Sequence, residues 1–139
     1  MRLYTFRVAS PIGSHLRIGA EAGGRLIDLN AACAALFAHQ GEPDPGEFAD
    51  FLVPPDMVTY LTRGEKARRA AAEAIEFAGE GADHGPGGAR LAYDFDQVQL
   101  LAPVPRPPLV RDASAFLGHV RFGRACVSGD RRIADVPPD

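Results

Sequence analysis

The chain has 139 residues, of which 46% are hydrophobic and 24% are charged, and its formal net charge at pH 7 is −3. This length and composition fit one globular domain, alone or with part of a second, and argue against a wholly disordered chain. The negative charge gives no electrostatic reason to expect nucleic acid or an anionic membrane as a partner.

The N-terminal residues and the cysteines favour a cytoplasmic location. Residues 1–7 lack the apolar core of a signal peptide. No stretch approaches the ~20 apolar residues that span a bilayer. Cys33 and Cys126 lie far apart without CxxC spacing, which is typical of reduced thiols.

The chain begins with a predicted antiparallel unit. Residues 3–8 alternate between apolar and polar side chains, which is the period of a half-buried strand. Two more strands are predicted at 16–19 and 25–29. The glycines within 20–24 allow the positive φ that a tight hairpin between these two strands requires.

Helices are predicted next. Asn30 is expected to cap a helix at 31–39, and three apolar side chains beyond it, those of Phe48, Phe51 and Leu52, are expected to be anchors on one short helical turn. Asp56 is expected to cap a helix at 57–63. The longest helix is predicted at 65–78, where small apolar residues form one stripe.

Strands are predicted again at 90–93 and 97–101, after a glycine-rich surface loop at 79–88. His84 lies in that loop and is expected to be solvated. The order of strands, helices and strands predicts an α+β domain with a small antiparallel sheet or partly closed barrel.

A proline-rich linker follows, and beyond it lie one carboxylate and one imidazole. Four prolines within residues 103–108 predict a stiff, extended segment. Spacing alone favours a turn-capping Asp112 and a structural His119, and Ser114 without a placed acid is a weak indication of a catalytic triad. We predict an N-terminal domain at 1–102, a linker at 103–110 and a further fragment at 111–139.

Residues 100–120 resemble the domain junction of the fumarylacetoacetate hydrolase family. Leu-Leu-Ala-Pro-Val-Pro-Arg-Pro-Pro at 100–108 is followed by Arg111-Asp112 and by Phe116-x-x-His119-Val120. Segments at 1–7, 25–32 and 54–57 look like that family's N-terminal domain. The resemblance implies an SH3-like, partly open β-barrel with added helices, followed by the start of a mainly β catalytic domain that forms homodimers.

The resemblance also implies the chemistry. Asp112 matches the first ligand of Mg²⁺ or Ca²⁺, and His119 matches the histidine that activates water. The metal ion would bind the two oxygens of a β-diketo acid, such as an acylpyruvate, whose carbon–carbon bond is hydrolysed.

The sequence departs from the family pattern in ways that affect activity. Ala113 stands where an aromatic residue is usual, and the family's Glu-x-Glu pair and later Asp have no counterpart. One carboxylate leaves most metal coordination positions to water, so we expect this chain alone to be inactive and to bind no metal. The alternative is a non-catalytic barrel module that binds a protein partner or a full-length paralogue.

Overall fold

A computed structural model describes residues 1–10, 13–79, 81–111 and 117–128. The chain divides into two compact units, Met1–Pro107 and Pro108–Asp139. The predicted limits of the N-terminal domain, the linker and the C-terminal fragment stay a prediction. None of the helices in the described ranges is long and apolar enough to cross a membrane.

The first unit contains an open antiparallel sheet of five strands. They are β1 (Leu3–Ser10), β2 (Gly13–Ala22), β3 (Arg25–Asp28), β4 (Ala92–Tyr93) and β5 (Gln99–Leu100). Their order in the sheet is β4-β3-β2-β1-β5. The predicted α+β class and antiparallel sheet are therefore confirmed.

The long strands follow the predicted pattern. Leu3 pairs with Ala20 and Ser10 pairs with Gly13, so β1 and β2 pair along the whole of β1. Gly23 and Gly24 join β2 to β3 with φ angles of 57° and 77°, the conformation of a two-residue hairpin turn with positive φ at both positions. The last two strands are shorter than predicted, and a 3₁₀ turn at Phe95–Gln97 includes the first residue of the predicted strand at 97–101.

The described residues of this unit also form four α-helices, which share one hydrophobic core with the sheet. They are α1 (Leu29–His39), α2 (Pro45–Leu52), α3 (Met57–Thr62) and α4 (Glu65–Gly79). The predicted small stripe of α4 is buried, and its members are Ala67, Ala70, Ala71 and Ala74. Because these side chains are small, α4 can approach α1 closely.

The predicted capping residue is correct for α3 and wrong for α1. Asp56 caps α3 as predicted, accepting a hydrogen bond of 2.8 Å from the Thr59 amide. The prediction that Asn30 caps α1 is wrong. The cap is Asp28, whose carboxylate accepts from the Ala31 amide at 3.0 Å, and Asn30 lies inside the helix.

The predicted aromatic anchors of α2 are confirmed only in part. The Phe48 ring packs on the buried Phe37 with 4.8 Å between centroids, whereas Phe51 stays at the surface. Phe48 and Phe51 are 42% and 60% exposed, whereas Ala49 and Val53 are fully buried. The helical period of α2 turns Ala49 inward and leaves the neighbouring rings at the rim. Leu52 is half-buried against the core, as expected.

In the second unit, the described residues contain a helix, α5 (Leu117–Ser128). The predicted character of this part, the start of a mainly β domain, stays a prediction.

Candidate functional site

The two residues predicted to act in catalysis belong to the second unit. Asp112 lies outside the described residues, as does Ser114. His119 is the third residue of α5, and its side chain lies outside the described part. The roles of Asp112 and His119 therefore stay predictions.

A partly buried ion pair lies in the first unit, where β2 faces the end of β3. Arg17 of β2 donates from Nε to Asp28 Oδ2 at 2.6 Å and from Nη2 to Asp28 Oδ1 at 3.0 Å. The side chain of Asp28 is 3% exposed and that of Arg17 is 23% exposed. Such a two-point pair holds the guanidinium in a fixed orientation.

Asn30 extends this pair toward α2. Its side-chain oxygen accepts from Arg17 Nη2 at 3.0 Å. Its amide nitrogen donates to Asp50 Oδ1 at 2.9 Å and to the Val53 carbonyl at 3.0 Å. The network thus joins β2, β3, α1 and the end of α2, and it explains why Asn30 is unavailable as a cap.

Charge and burial act together on the titrating groups here. Burial by itself would lower the pKa of Arg17, but the charge and hydrogen bonds of Asp28 outweigh burial, so the pKa of Arg17 is raised. Burial also raises the pKa of Tyr93, and the Asp28 charge raises it further against the opposing effect of Arg17 and Arg90. Arg17 is therefore a permanent cation and Tyr93 a neutral phenol near pH 7.

A pocket of about 290 Å³ opens beside the ion pair, and we call it the Arg17 pocket. Its polar lining consists of Ser10, His15, Arg17, Asp28, Arg90 and Tyr93.

Two further contacts shape the walls of the Arg17 pocket. The Arg90 guanidinium carbon lies 4.9 Å from the centre of the Tyr93 ring, a cation–π distance. Ser10 Oγ and His15 Nε2 are hydrogen-bonded at 2.9 Å.

Asp28, which lines the Arg17 pocket, is already engaged in hydrogen bonds. Both carboxylate oxygens of Asp28 already accept hydrogen bonds, from Arg17 and from the Ala31 amide. Asp28 therefore serves as the fixed counter-ion of Arg17 and as the cap of α1.

Sequence reasoning missed Arg17, Asp28 and Arg90 as site residues. Two local signals were present: an arginine between apolar residues in a predicted strand, and an acidic residue just before a predicted helix. Neither signal shows that the two side chains meet, because the meeting depends on the pairing of β2 with β3.

Across the described ranges, no three or more His, Cys, Asp and Glu side chains are grouped so that they could hold a metal ion. Asp112 lies outside those ranges.

Comparison with known proteins returned no relatives. No protein-family model matches the chain, and no curated protein and no solved structure matches it. The resemblance to the fumarylacetoacetate hydrolase family therefore rests on the residues quoted above.

Proposed function

We propose that this chain is the N-terminal part of an enzyme of the fumarylacetoacetate hydrolase family. In this proposal the first unit is a non-catalytic module, and the residues after the prolines begin the catalytic domain. The observation that carries the proposal is the junction sequence, in which residues 100–108 precede Arg111-Asp112 and His119-Val120.

The attachment of the junction to β1 supports the proposal. The buried Thr5 donates from its hydroxyl to the Pro103 carbonyl at 2.6 Å, and its own carbonyl accepts from the Leu101 amide at 2.9 Å. Val104 packs partly against the core. A segment fixed in this way gives the chain a defined exit from the first unit, as a junction between domains requires.

We also propose that the sheet forms the SH3-like, partly open barrel expected from the resemblance. Strands β2 and β3 lie between β1 and β4, so a flat sheet would separate β1 from β4 by about 14 Å at ~4.8 Å per strand. The rings of Phe6 in β1 and Tyr93 in β4 are nevertheless 5.8 Å apart between centroids. This short distance supports a strongly curled sheet.

For the site, we propose that Asp112 is one ligand of Mg²⁺ or Ca²⁺ and that His119 accepts the proton of the attacking water. The substrate would be a β-diketo acid of the acylpyruvate type. The described residues do not themselves fit a metal site, and Asp112 alone leaves most coordination positions to water. We therefore propose that this chain alone is inactive. From the family resemblance we propose that the complete enzyme is a homodimer, and from the N-terminal residues and the cysteines that it is cytoplasmic.

The decisive experiment is to sequence the gene downstream of codon 139 and to express any open reading frame that continues there. The expected result is a frame that encodes Glu-x-Glu and an enzyme that hydrolyses an acylpyruvate with Mg²⁺. In that enzyme Asp112→Asn and His119→Gln should each lower kcat by ~10²-fold or more.

Matched controls are available in the first unit. Asp96→Asn and His84→Gln change an exposed carboxylate and an exposed imidazole and should leave kcat unchanged. A stop codon followed by unrelated sequence, or full activity of the Asp112 and His119 variants, would overturn the proposal.

The alternative function is a non-catalytic module that binds a protein partner or a full-length paralogue. The exposed apolar side chains of α2 and α3 favour it: Phe51 is 60% exposed and Leu61 is 55% exposed. Under this alternative, Mg²⁺ changes neither stability nor activity. Metal-dependent turnover of an acylpyruvate by this chain alone would contradict the alternative.

A further inference from the structure

We propose that the Arg17 pocket binds a small organic carboxylate. The site lies wholly in the first unit and uses neither Asp112 nor His119, so it is independent of the function proposed above.

The charges that line the Arg17 pocket favour an anion. Arg17 and Arg90 each contribute a positive charge, and Asp28 contributes the one negative charge of the six polar lining residues. The Asp28 charge is largely compensated by Arg17 and by the amide end of α1. Among the lining residues an excess of one positive charge therefore remains, which matches a singly charged anion. Asp50, whose charge also acts on Arg17, does not line the pocket and is hydrogen-bonded to Asn30.

Hydrogen-bond donors remain available for that anion. Arg17 uses Nε and Nη2 in bonds to Asp28 and Asn30, and within the described chain its Nη1 has no partner. Arg90 uses Nη2 in a bond of 2.7 Å to Gln97 Oε1, and its Nε and Nη1 have no partner in the same described ranges. These groups can donate to the oxygens of a carboxylate.

The size and walls of the pocket set the class of ligand. A volume of about 290 Å³ corresponds to roughly ten water molecules at ~30 Å³ each and is near the lower limit of small-molecule sites. The Tyr93 ring and the Val8 side chain offer contact to a carbon body. The planar guanidinium matches a planar carboxylate better than a tetrahedral dianion.

The test is a titration of the isotopically labelled full chain, followed by NMR, with benzoate, acetate and inorganic phosphate. Benzoate should shift the amide signals of Arg17, Arg90 and Tyr93. Acetate, which lacks the carbon body, and phosphate should each bind at least tenfold more weakly. The Arg90→Ala variant should bind benzoate at least tenfold more weakly than the unchanged chain.

The control is Arg63→Ala, because Arg63 stacks on Phe51 at 4.6 Å and does not line the pocket. Its affinity for benzoate should equal that of the unchanged chain. Arg90→Lys keeps the charge and loses the planar fork, so it should bind benzoate more weakly but phosphate equally well.

Three results would overturn the proposal. They are the absence of shifts at these amides up to about 10 mM benzoate, equal binding of benzoate and phosphate, and unchanged benzoate affinity in a folded Arg90→Ala variant.

Discussion

The guanidinium of Arg17 and the carboxylate of Asp28 meet where β3 becomes α1, with an Nε–Oδ2 distance of 2.6 Å. The same carboxylate caps the helix through the Ala31 amide. One side chain therefore fixes the sheet to the first helix. Because the Asp28 side chain is 3% exposed, removing it leaves a poorly solvated arginine without its partner.

We expect Asp28→Ala to lower the free energy of unfolding by about 3–5 kcal/mol, from the unpaired arginine and the lost cap. The control is Asp56→Ala, which removes the exposed cap of α3 with its hydrogen bonds from the Thr59 amide and hydroxyl and should cost about 1 kcal/mol. Urea denaturation of both variants measures the difference. Equal losses in the two variants would contradict a special role for the Arg17–Asp28 pair.

The bond between Thr5 and Pro103 predicts a local effect on the junction. Thr5→Val keeps the shape of the buried side chain and removes the 2.6 Å hydrogen bond, so it should cost about 1–2 kcal/mol. Hydrogen exchange at the Leu101 amide, which bonds to the Thr5 carbonyl, should become faster. Thr62→Val is the control, because Thr62 is exposed and bonds only within its own helix. Unchanged exchange at Leu101 would show that the hydroxyl does not hold the junction.

Gly19 is expected to tolerate no side chain. An added Cβ would lie 2.8 Å from the Ile27 carbonyl oxygen, 2.9 Å from Leu26 Cδ1 and 3.0 Å from Phe6 Cε1. Gly19→Ala should therefore lower the free energy of unfolding by about 1–3 kcal/mol.

The matched variant is Gly46→Ala in α2, where a Cβ meets nothing within 4 Å. It should raise stability by about 0.5–1 kcal/mol, because alanine favours the helix. Thermal unfolding of the two variants should give shifts of opposite sign. A stable Gly19→Ala variant would mean that β2 and β3 lie farther apart than described.

The two cysteines should differ in reactivity. Burial raises the pKa of the Cys33 thiol to about 12, with a further contribution from Glu73, whereas Cys126 is exposed. At pH 8 a thiol-specific reagent should modify one cysteine in the folded chain and two in urea, because only the thiolate reacts. Rapid modification of both thiols in the folded chain would contradict the burial of Cys33.

The same pKa shift has a consequence for stability. The thiol ionises near its ordinary value of 9.0 in the unfolded chain and near 12 in the folded one, so between these values the folded state holds more protons. The contribution of the protonated Cys33 thiol to the free energy of unfolding is therefore fully present below pH 9, and it decreases as the pH rises toward 12. Urea denaturation at alkaline pH measures this effect, and the Cys33→Ala variant should lack this decrease in the free energy of unfolding.

Features with a local cause were predictable from the sequence. The alternation in β1, the paired glycines before β3, the Asp56 cap and the small stripe of α4 each depend on neighbouring residues. The cap of α1 was not predictable in this way, because Asp28 and Asn30 are both good capping residues two positions apart. The choice between them depends on contacts from other elements, because the Asn30 side chain is engaged by Arg17, Asp50 and the Val53 carbonyl.

The Arg17 pocket could not be predicted from the sequence for the same reason. Arg17 and Arg90 are far apart in the sequence and meet around one pocket only after β4 has paired with β3. No spacing of residues in the sequence predicts that pairing. The situation is reversed for Asp112 and His119. The resemblance predicts their roles, but Asp112 and the side chain of His119 lie outside the described residues.

The two shortest strands have a consequence for how the protein behaves at high concentration. β4 and β5 form the two edges of the sheet, and each is two residues long. A strand this short offers few free backbone groups on which a second molecule could add a strand of its own. β5 and β3 cover the long β1–β2 hairpin only in part, because β5 pairs with Phe6 and Arg7 of β1 and β3 pairs with residues 19–22 of β2. Within the described residues, an added strand would therefore find more free backbone groups along the hairpin than on either edge strand.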